Sequence, residues 1–193
     1  MWSIDVALAS GCSPVILVVP PALVERAREL VGEAEVVVTP GGSERQHSVG
    51  LGLRNVDTEF VVVHDAARPF VTPELFARVL AAVREADAVI AGMPVDETLK
   101  RVAGGHGPAR SVVETIDREM VWRSQTPAAF KTAALKEAHD RAEGEGFVGT
   151  DESQLIERYG GRVKVVMGSR SNLKITFPDD FVVAEAMMKA MQK

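Results

Sequence analysis

The sequence predicts an α/β fold of the Rossmann-like class, in which a sheet is covered by helices on both faces. Short apolar runs such as Val15–Val19 and Phe60–Val63 alternate with amphipathic runs of helical length. The short runs are rich in β-branched residues and continuously apolar, which is typical of parallel strands buried on both faces. Helices between such strands predict right-handed crossovers and therefore three layers. With 193 residues and no repeat, the chain is long enough for a single domain, 1–193, with a full core.

The elements follow one another in a regular order along the chain. The predicted strands are runs of four or five residues, at 15–19, 35–38, 60–63, 88–91 and 163–166. The predicted helices cover 21–31, 43–54, 72–85, 132–143 and 178–191, and a further one opens at Thr150-Asp151-Glu152. The helix at 72–85 begins with Thr72-Pro73-Glu74, an N-cap residue, a proline at the first helical position and an acid in the first turn.

Residues 95–117 depart from this alternation and predict a protruding β-arm. Two extended polar segments between Thr98 and Thr115 surround the turn sequence Gly104-Gly105-His106-Gly107, which is typical of a β-hairpin. An isolated hairpin has too little core to be stable by itself. We therefore expect the arm to pack on a partner subunit. The chain then returns to the domain through Gln125-Thr126-Pro127.

The charge balance and the cysteine content narrow the class of protein. A net charge of −5 argues against a nucleic-acid partner, because such proteins usually carry a basic face. A few converging Lys and Arg residues can still hold a small anionic substrate. Cys12 is the only cysteine, which rules out an intrachain disulfide and a thiolate zinc cluster and fits a reducing, cytoplasmic location. The most apolar stretch, 14–24, is short and interrupted by Pro20 and Pro21, so we expect neither a signal peptide nor a membrane partner.

The stretch His64-Asp65-Ala66-Ala67-Arg68-Pro69 carries the clearest chemical signal. It directly follows the predicted strand 60–63, and open α/β sheets bind ligands at the carboxyl ends of their strands. A carboxylate at Asp65 can hold Mg²⁺, which takes oxygen ligands and works with substrate phosphates. Arg68 can pair with a phosphate through its planar guanidinium. On these residues alone, the alternative is that Asp65 caps a turn and Arg68 forms a salt bridge.

Two further polar segments also follow predicted strands. Gly41 to Ser48 is a strand-to-helix turn, whose backbone N–H groups can meet an anion or the polar edge of a base. The alternative is that Ser43 is an ordinary helix cap. Lys174 follows the strand at 163–166, where a lysine can offset the charge on a transferring phosphoryl group. A surface lysine without function is the alternative there.

Taken together, these motifs and their order resemble one family. The chain contains, in order, GGxxRxxSV, VHDAARPF, PVxxTLKR, TxDRxxxWxxQTPxxF, TDE, NxKIT and PxD. This order is similar to that of the 2-C-methyl-D-erythritol 4-phosphate cytidylyltransferase family, and the resemblance extends over essentially the whole chain. VHDAARPF followed by DR, QTP and NxKIT is a specific signal with few competing families.

The resemblance implies a fold, a reaction and a quaternary structure. The fold is the glycosyltransferase-A-like nucleotidyltransferase sandwich, and the arm interlocks two chains into a homodimer. The reaction transfers CMP from CTP to 2-C-methyl-D-erythritol 4-phosphate, releases pyrophosphate and belongs to non-mevalonate isoprenoid biosynthesis.

The resemblance also implies which residues bind the nucleotide. Gly42, Ser43 and Ser48 match the cytidine-binding turn of the family. The family commonly has aspartate at the position of Ser43, so the contact to the base or ribose is expected to differ there. Ala66 and Arg68 match the loop that lines the nucleotide site.

A second set of residues is implied to act on the reacting groups. Asp65 matches the Mg²⁺ ligand, and Lys174 matches the lysine near the transferring phosphate. Thr98 and Arg118 match positions that reach the methylerythritol phosphate across the dimer interface. Arg118 is the residue expected to clamp its phosphate, so that Asp65, Arg118 and Lys174 form the catalytic set.

One part of the family pattern has no counterpart in this chain. Family members begin with a strand and a glycine-rich AAGxGxRxG…PK segment, whose arginine and lysine hold the triphosphate. This chain opens at Trp2-Ser3-Ile4, inside the helix that follows that segment. We expect weak CTP turnover, because Lys174 alone does not replace that cradle, and a destabilised sheet, because the absent strand lies near its centre.

Two alternatives stay open at this point. A ribitol 5-phosphate cytidylyltransferase has the same fold, metal and nucleotide, and it differs in the pocket for the polyol phosphate. A non-catalytic dimerising remnant of the fold is favoured by the absent loop and disfavoured by the joint presence of Asp65, Arg68, Arg118 and Lys174. A metal-dependent phosphohydrolase is disfavoured, because no second histidine–aspartate cluster accompanies His64 and Asp65.

Overall fold

The computed structural model describes residues 2–104 and 108–191. Its α-helices are α1 (Trp2–Ala9), α2 (Val24–Val31), α3 (Arg45–Leu53), α4 (Pro73–Ala82), α5 (Thr132–Glu145), α6 (Glu152–Arg158) and α7 (Pro178–Met191). Its strands are β1 (Val15–Val19), β2 (Val36–Pro40), β3 (Phe60–Val63), β4 (Ala88–Pro94), β5 (Leu99–Val102), β6 (Val112–Ile116), β7 (Trp122–Lys131) and β8 (Val163–Met167). None of these helices is long and apolar enough to cross a membrane.

Most predicted elements are confirmed, with shifts of a few residues at their ends. The last helix spans 178–191, as the sequence predicts. The second strand begins and ends later than predicted, at Val36–Pro40, and α3 begins at Arg45 instead of at residue 43. Short 3₁₀ turns at Pro21–Leu23 and Val83–Glu85 extend α2 and α4 to the predicted helical lengths.

The central sheet is mixed, because β7, a strand that the sequence did not predict, lies between β3 and β4, which share one direction. Its strand order is β3-β7-β4-β8, in which β4 and β8 are parallel while β7 runs antiparallel to both β3 and β4. The sequence predicts only a returning segment where β7 lies, because the first half of β7 is polar and Pro127 interrupts its second half. Pro127 is tolerated because the pairing with β4 is irregular there, jumping from Ile90 opposite Ala128 to Ala91 opposite Gln125.

Helices cover both faces of this sheet, which confirms the predicted three layers. Along β7, Phe130 belongs to the core that α3, α5 and α6 cover, whereas the adjacent Ala129 belongs to the core that α1 and α4 cover. Successive strand residues point to opposite faces, so one strand supplies both cores. Phe130 and, on the other face, Phe76 are 1% and 2% exposed. Each contributes about 1.5–3 kcal/mol through burial of its ring.

A cavity separates the central sheet from the other parallel strand pair. Strands β1 and β2 pair with each other, Val15 opposite Val36, and form a sheet of their own. A cavity of about 450 Å³ is lined by 15–18 of β1 on one side and 60–63 of β3 on the other. The lowered sheet stability expected from the sequence stays a prediction, and it concerns this part of the molecule.

The predicted arm is a two-stranded antiparallel hairpin of β5 and β6, with Leu99 opposite Ile116. Its predicted turn at Gly105-His106-Gly107 lies outside the described residues. Adjacent valines on β6, Val112 and Val113, are 58% and 61% exposed. The pairing is irregular beside them, jumping from Arg101 opposite Glu114 to Val102 opposite Val112. The two valines form an apolar patch that the described residues leave uncovered.

Candidate active site

Five segments converge beyond the carboxyl end of β3. They are the loop after β3, the first turn of α3, the middle of β7, the start of α6 and the segment after β8. Each contributes to the lining of a cavity of about 260 Å³, through Asp65, Arg45, Thr126, Asp151 and Lys174 respectively. The loop after β3 and the segment after β8 follow the carboxyl ends of parallel strands, which explains why residues far apart in sequence meet here.

The Asp65 carboxylate is 14% exposed and is held between two cations. Arg45 donates two hydrogen bonds to Oδ1, from Nε at 3.1 Å and from Nη2 at 3.0 Å. Nζ of Lys174 lies 2.9 Å from Oδ2. Burial by itself raises the pKa of Asp65, but the contacts with Lys174 and Arg45 outweigh it and hold the pKa below its ordinary value. Asp65 is therefore ionised at neutral pH.

Arg45 also reaches a second, more deeply buried carboxylate. Its Nη1 donates to Oε2 of Glu152 at 2.5 Å, and the Glu152 side chain is only 3% exposed. Burial raises the pKa of Glu152, and the charge of Arg45 opposes this shift. Lys174, Asp65, Arg45 and Glu152 thus form a row of alternating charge, which we name the charge cluster. Two positive and two negative side chains make it neutral as a whole.

A hydrogen-bond chain fixes the backbone at Asp65. Nε2 of the His64 ring lies 3.2 Å from the Arg68 carbonyl oxygen, and Nδ1 lies 3.1 Å from the Thr126 hydroxyl. Burial lowers the pKa of His64, which keeps the ring neutral. A carbonyl oxygen can only accept, so Nε2 carries the proton and Nδ1 accepts from Thr126. The Thr126 oxygen in turn accepts from the Asp65 backbone N–H at 2.9 Å.

Arg68 is held by carbonyl groups instead of a carboxylate. Its Nη1 donates to the Asn172 carbonyl oxygen at 2.9 Å, and Nη2 makes a long contact of 3.5 Å with the Ser124 carbonyl oxygen. Burial lowers the pKa of Arg68 although the charge of Asp65 raises it, and an arginine stays protonated in any case. Among the described residues, Arg68 therefore forms no salt bridge, in contrast to the alternative considered from the sequence. Its positive charge is not neutralised by a carboxylate and can attract an anion.

The glycine-rich turn before α3 is closed by its own side chains. The Gly42 backbone N–H donates to Oγ of Ser48 at 3.1 Å, and that hydroxyl donates to the Glu44 carbonyl oxygen at 3.0 Å. Only glycine fits at position 42, because a Cβ there would lie 2.5 Å from Cβ of His47. Oγ of Ser43 lies 3.1 Å from Nδ1 of His47, and α3 is preceded by Glu44, so Ser43 is not the helix cap.

The turn and the Asp65 loop face the same space. Ser48, Asp65 and Ala66 all line the 450 Å³ cavity between β1 and β3. Asp65 and Arg45 line the smaller cavity as well, so they stand where the two cavities meet. Of the residues implied to bind the nucleotide, Ser48 and Ala66 line the larger cavity and Arg68 lines the smaller one, whereas Gly42 and Ser43 line neither.

The remaining two implied residues lie elsewhere. Thr98 and Arg118 are exposed at the base of the arm and line neither cavity. Arg118 donates to the Asp96 carbonyl oxygen. The Asp96 carboxylate lies 3.4 Å from Arg123 and 3.1 Å from Arg170, so two further arginines lie near Arg118 and share this carboxylate.

Sequence reasoning did not assign Arg45, Glu152 and Thr126 to the site. Arg45 is part of the GGxxRxxSV motif, and Thr126 and Glu152 stand in QTP and TDE. The motifs therefore contain these three residues, but the roles of the residues depend on contacts between positions up to 107 apart in the sequence. The position of Thr126 further depends on the irregularity in β7, which was not predicted.

The site offers Mg²⁺ one carboxylate, so its further oxygen ligands come from water or from substrate phosphates. Within 2–104 and 108–191, no three His, Cys, Asp or Glu side chains cluster in a way that could hold a metal ion. Mg²⁺, however, usually binds through one or two carboxylates together with substrate phosphates. The ionised Asp65 meets that requirement, provided that its Oδ2 atom gives up the contact with Lys174 and binds the ion instead.

Comparisons with known proteins agree with the resemblance found in the sequence. Residues 1–190 match the profile of the IspD family, 2-C-methyl-D-erythritol 4-phosphate cytidylyltransferase. The enzyme of that name from Bacillus velezensis is 44% identical over 185 residues, which are 93% of this chain and 78% of the relative.

Solved structures place the fold in the same family. The 2-C-methyl-D-erythritol 4-phosphate cytidylyltransferase of Thermus thermophilus superposes with a TM-score of 0.82 at 34% identity, covering 97% of this chain and 87% of that one. The 4-diphosphocytidyl-2C-methyl-D-erythritol synthase of Anaerococcus prevotii gives a TM-score of 0.87 at 29% identity, covering 96% and 83%. The predicted nucleotidyltransferase fold is thereby confirmed, and the chain belongs to the 2-C-methyl-D-erythritol 4-phosphate cytidylyltransferase family.

Proposed function

We propose that this chain transfers CMP from CTP to 2-C-methyl-D-erythritol 4-phosphate and releases pyrophosphate, a step of non-mevalonate isoprenoid biosynthesis. The observation that carries the proposal is the charge cluster beside the glycine-rich turn, in a chain of this family. Asp65 supplies an ionised carboxylate next to Lys174, and Arg68 adds a positive charge that no described carboxylate binds directly.

The chemistry requires two anions to approach each other. An oxygen of the substrate phosphate attacks the α-phosphorus of CTP, a P–O bond forms there, and the bond to the β-phosphate breaks as pyrophosphate leaves. Positioning and electrostatic stabilisation accelerate such a transfer without a covalent nucleophile. Lys174 and Arg68 offset the repulsion and the developing charge, while the Gly42–Ser48 turn and Ala66 hold the cytidine.

We propose that the cofactor is Mg²⁺, held by Asp65 together with phosphate oxygens of CTP. When bound, it supplies positive charge at the reacting phosphates. Asp65 would hold the ion through Oδ2, and Lys174, which contacts that oxygen at 2.9 Å, would then be free to turn toward the nucleotide.

We further propose a homodimer, in which the arm brings Thr98 and Arg118 to the partner's Asp65 site. The exposed valines on β6 support this, since adjacent exposed apolar side chains on a hairpin are typical of a surface covered by another chain. Arg118 then binds the phosphate of the methylerythritol substrate through its guanidinium. Arg123 and Arg170 raise the local positive potential.

The experiment incubates the purified chain with CTP, Mg²⁺ and one polyol phosphate, and product is quantified by mass spectrometry. We expect a diphosphocytidyl product and equal amounts of pyrophosphate with 2-C-methyl-D-erythritol 4-phosphate. If product forms only with ribitol 5-phosphate, that compound is the substrate and the proposed substrate is wrong. If CTP binds but no product forms with either compound, the non-catalytic alternative is supported.

The cytoplasmic location inferred from the single cysteine stays a prediction. Cys12 is partly buried, and burial raises the pKa of its thiol. This makes a reactive thiolate unfavourable.

A further inference from the structure

The two oxygens of the Asp65 carboxylate are held in different ways. Oδ1 accepts two hydrogen bonds from one guanidinium, at 3.1 and 3.0 Å. Oδ2 contacts a single ammonium group, that of Lys174 at 2.9 Å. Both cationic side chains have similar exposure, 37% for Arg45 and 43% for Lys174. Exposure therefore does not decide which of the two contacts can open.

The second partner of Arg45 decides it. Nη1 of Arg45 binds Glu152 at 2.5 Å, and Glu152 is 3% exposed at the start of α6. If Arg45 moved away, this carboxylate would be left buried and uncompensated, which is strongly unfavourable. Arg45 is thus fixed by three hydrogen bonds to two carboxylates on different elements.

Lys174 has no such anchor among the described residues. Its ammonium group makes one ion-pair contact, with Asp65, and its side chain lines the 260 Å³ cavity. A lysine is a flexible point charge that can follow an anion as it arrives. Opening this contact leaves Asp65 with one oxygen still bound and one oxygen facing the cavity.

We propose that Arg45 is a positioning residue, which is anchored on Glu152 and locks Oδ1 of Asp65, so that Oδ2 alone exchanges Lys174 for a divalent cation. The exchange turns Lys174 toward the phosphates that accompany the cation. This inference deepens the proposed function and rests on it for the identity of the nucleotide, but the exchange itself concerns only the charge cluster and a cation.

The exchange predicts opposite effects for the two cationic residues. We measure binding of Mn²⁺ alone, without nucleotide, by electron paramagnetic resonance of the free ion. Lys174→Gln removes the competitor for Oδ2, so we expect about 10-fold tighter Mn²⁺ binding although the variant loses a cation that activity needs. Arg45→Lys keeps the positive charge but loses the planar guanidinium that binds Asp65 and Glu152 together, so we expect about 10-fold weaker Mn²⁺ binding.

A matched control comes from another Arg–Glu pair, which joins Arg158 of α6 to Glu145 at the end of α5. Arg158 pairs with Glu145 at 3.0 Å away from both cavities, and Arg158→Gln is expected to leave Mn²⁺ binding unchanged. If Arg45→Lys does not fold, Glu152→Gln takes its place, since it keeps a hydrogen-bond acceptor but removes the anchoring charge. Weaker Mn²⁺ binding is expected from it as well.

Unchanged or weaker Mn²⁺ binding in Lys174→Gln would overturn the exchange. Unchanged binding in both Arg45→Lys and Glu152→Gln would overturn the positioning role. Because no substrate is present, these results are independent of turnover. If the chain forms no cytidylyl product while the affinities shift as expected, the proposed function fails and the exchange stands.

Discussion

The charge cluster and the base of the arm are both candidate phosphate sites, yet they differ in how far one chain completes them. In the charge cluster, Asp65 and Glu152 are 14% and 3% exposed, and ion pairs with Arg45 and Lys174 connect four separate segments of the chain. At the base of the arm, Arg118 is exposed and its described hydrogen bond goes to a backbone carbonyl oxygen. The first site is preorganised within one chain, whereas the second presents charge outward. The difference favours an active site that two chains share.

The largest expected effect comes from breaking the charge cluster at its centre. Asp65→Asn removes the negative charge between Arg45 and Lys174, and we expect product formation to fall about 10²- to 10³-fold. Asp87→Asn is the matched control, because Asp87 pairs with Lys131 at 3.0 Å outside both cavities. Equal activity in the two variants would contradict the assignment of Asp65.

The second effect tests the base of the arm. Arg118→Ala removes the proposed phosphate clamp, so we expect KM for the polyol phosphate to rise about 10- to 100-fold, in line with the loss of charge-assisted hydrogen bonds. CTP affinity, measured by calorimetry, is expected to stay the same. Arg101→Ala serves as the control, because Arg101 pairs with Glu114 within the hairpin. A matching loss of CTP affinity would place Arg118 at the nucleotide instead.

The third effect concerns the exposed valines on β6 of the arm. Val113→Asp places a charge on a side chain that is 61% exposed, and we expect the dimer dissociation constant to rise about 10-fold or more, because a buried charge at an interface is unfavourable. Sedimentation velocity over a concentration series measures it. Val148→Asp, at a 52% exposed loop residue, is the control. Equal dimer dissociation constants in both variants would exclude the arm as the interface.

The smallest effect is a pH dependence of stability within the site. Burial lowers the pKa of His64 below its ordinary value of 6.5. As pH falls below 6.5, His64 becomes protonated in the unfolded chain but not in the folded chain. The free energy of unfolding therefore decreases below pH 6.5, by at most about 1.4 kcal/mol per pH unit for one histidine. We expect His64→Gln to reduce this slope in urea unfolding between pH 5 and 6.5.

His139 provides an internal comparison for that experiment. Burial lowers the pKa of His139 as well, so the wild-type slope contains both residues and each single variant removes a part of it. A slope that His64→Gln leaves unchanged would show that the ring takes up its proton equally readily in the folded and unfolded chains. The account of a buried, neutral His64 that accepts from Thr126 would then be wrong.

The sequence predicted what is local and missed what is assembled over distance. Helix α7 and strand β3 were predicted with the observed bounds, because a helix-starting proline and a β-branched run are local signals. Strand β7 was missed, because its pairing tolerates Pro127 through an irregularity that only its neighbour β4 reveals. Asp65 was found from its place after a strand. Glu152 was not, because its role depends on Arg45, 107 residues earlier.

The most direct test of a shared active site mixes two impaired chains, assayed at a polyol phosphate concentration well below KM. Asp65→Asn and Arg118→Ala chains are combined in equal amounts, allowed to exchange subunits, and assayed for the cytidylyl product. If Arg118 serves the partner's Asp65, each mixed dimer has one intact site, and random pairing restores about a quarter of the wild-type activity. If both residues act within one chain, no mixed dimer has an intact site. Activity no higher than the mean of the two separate variants would contradict the account.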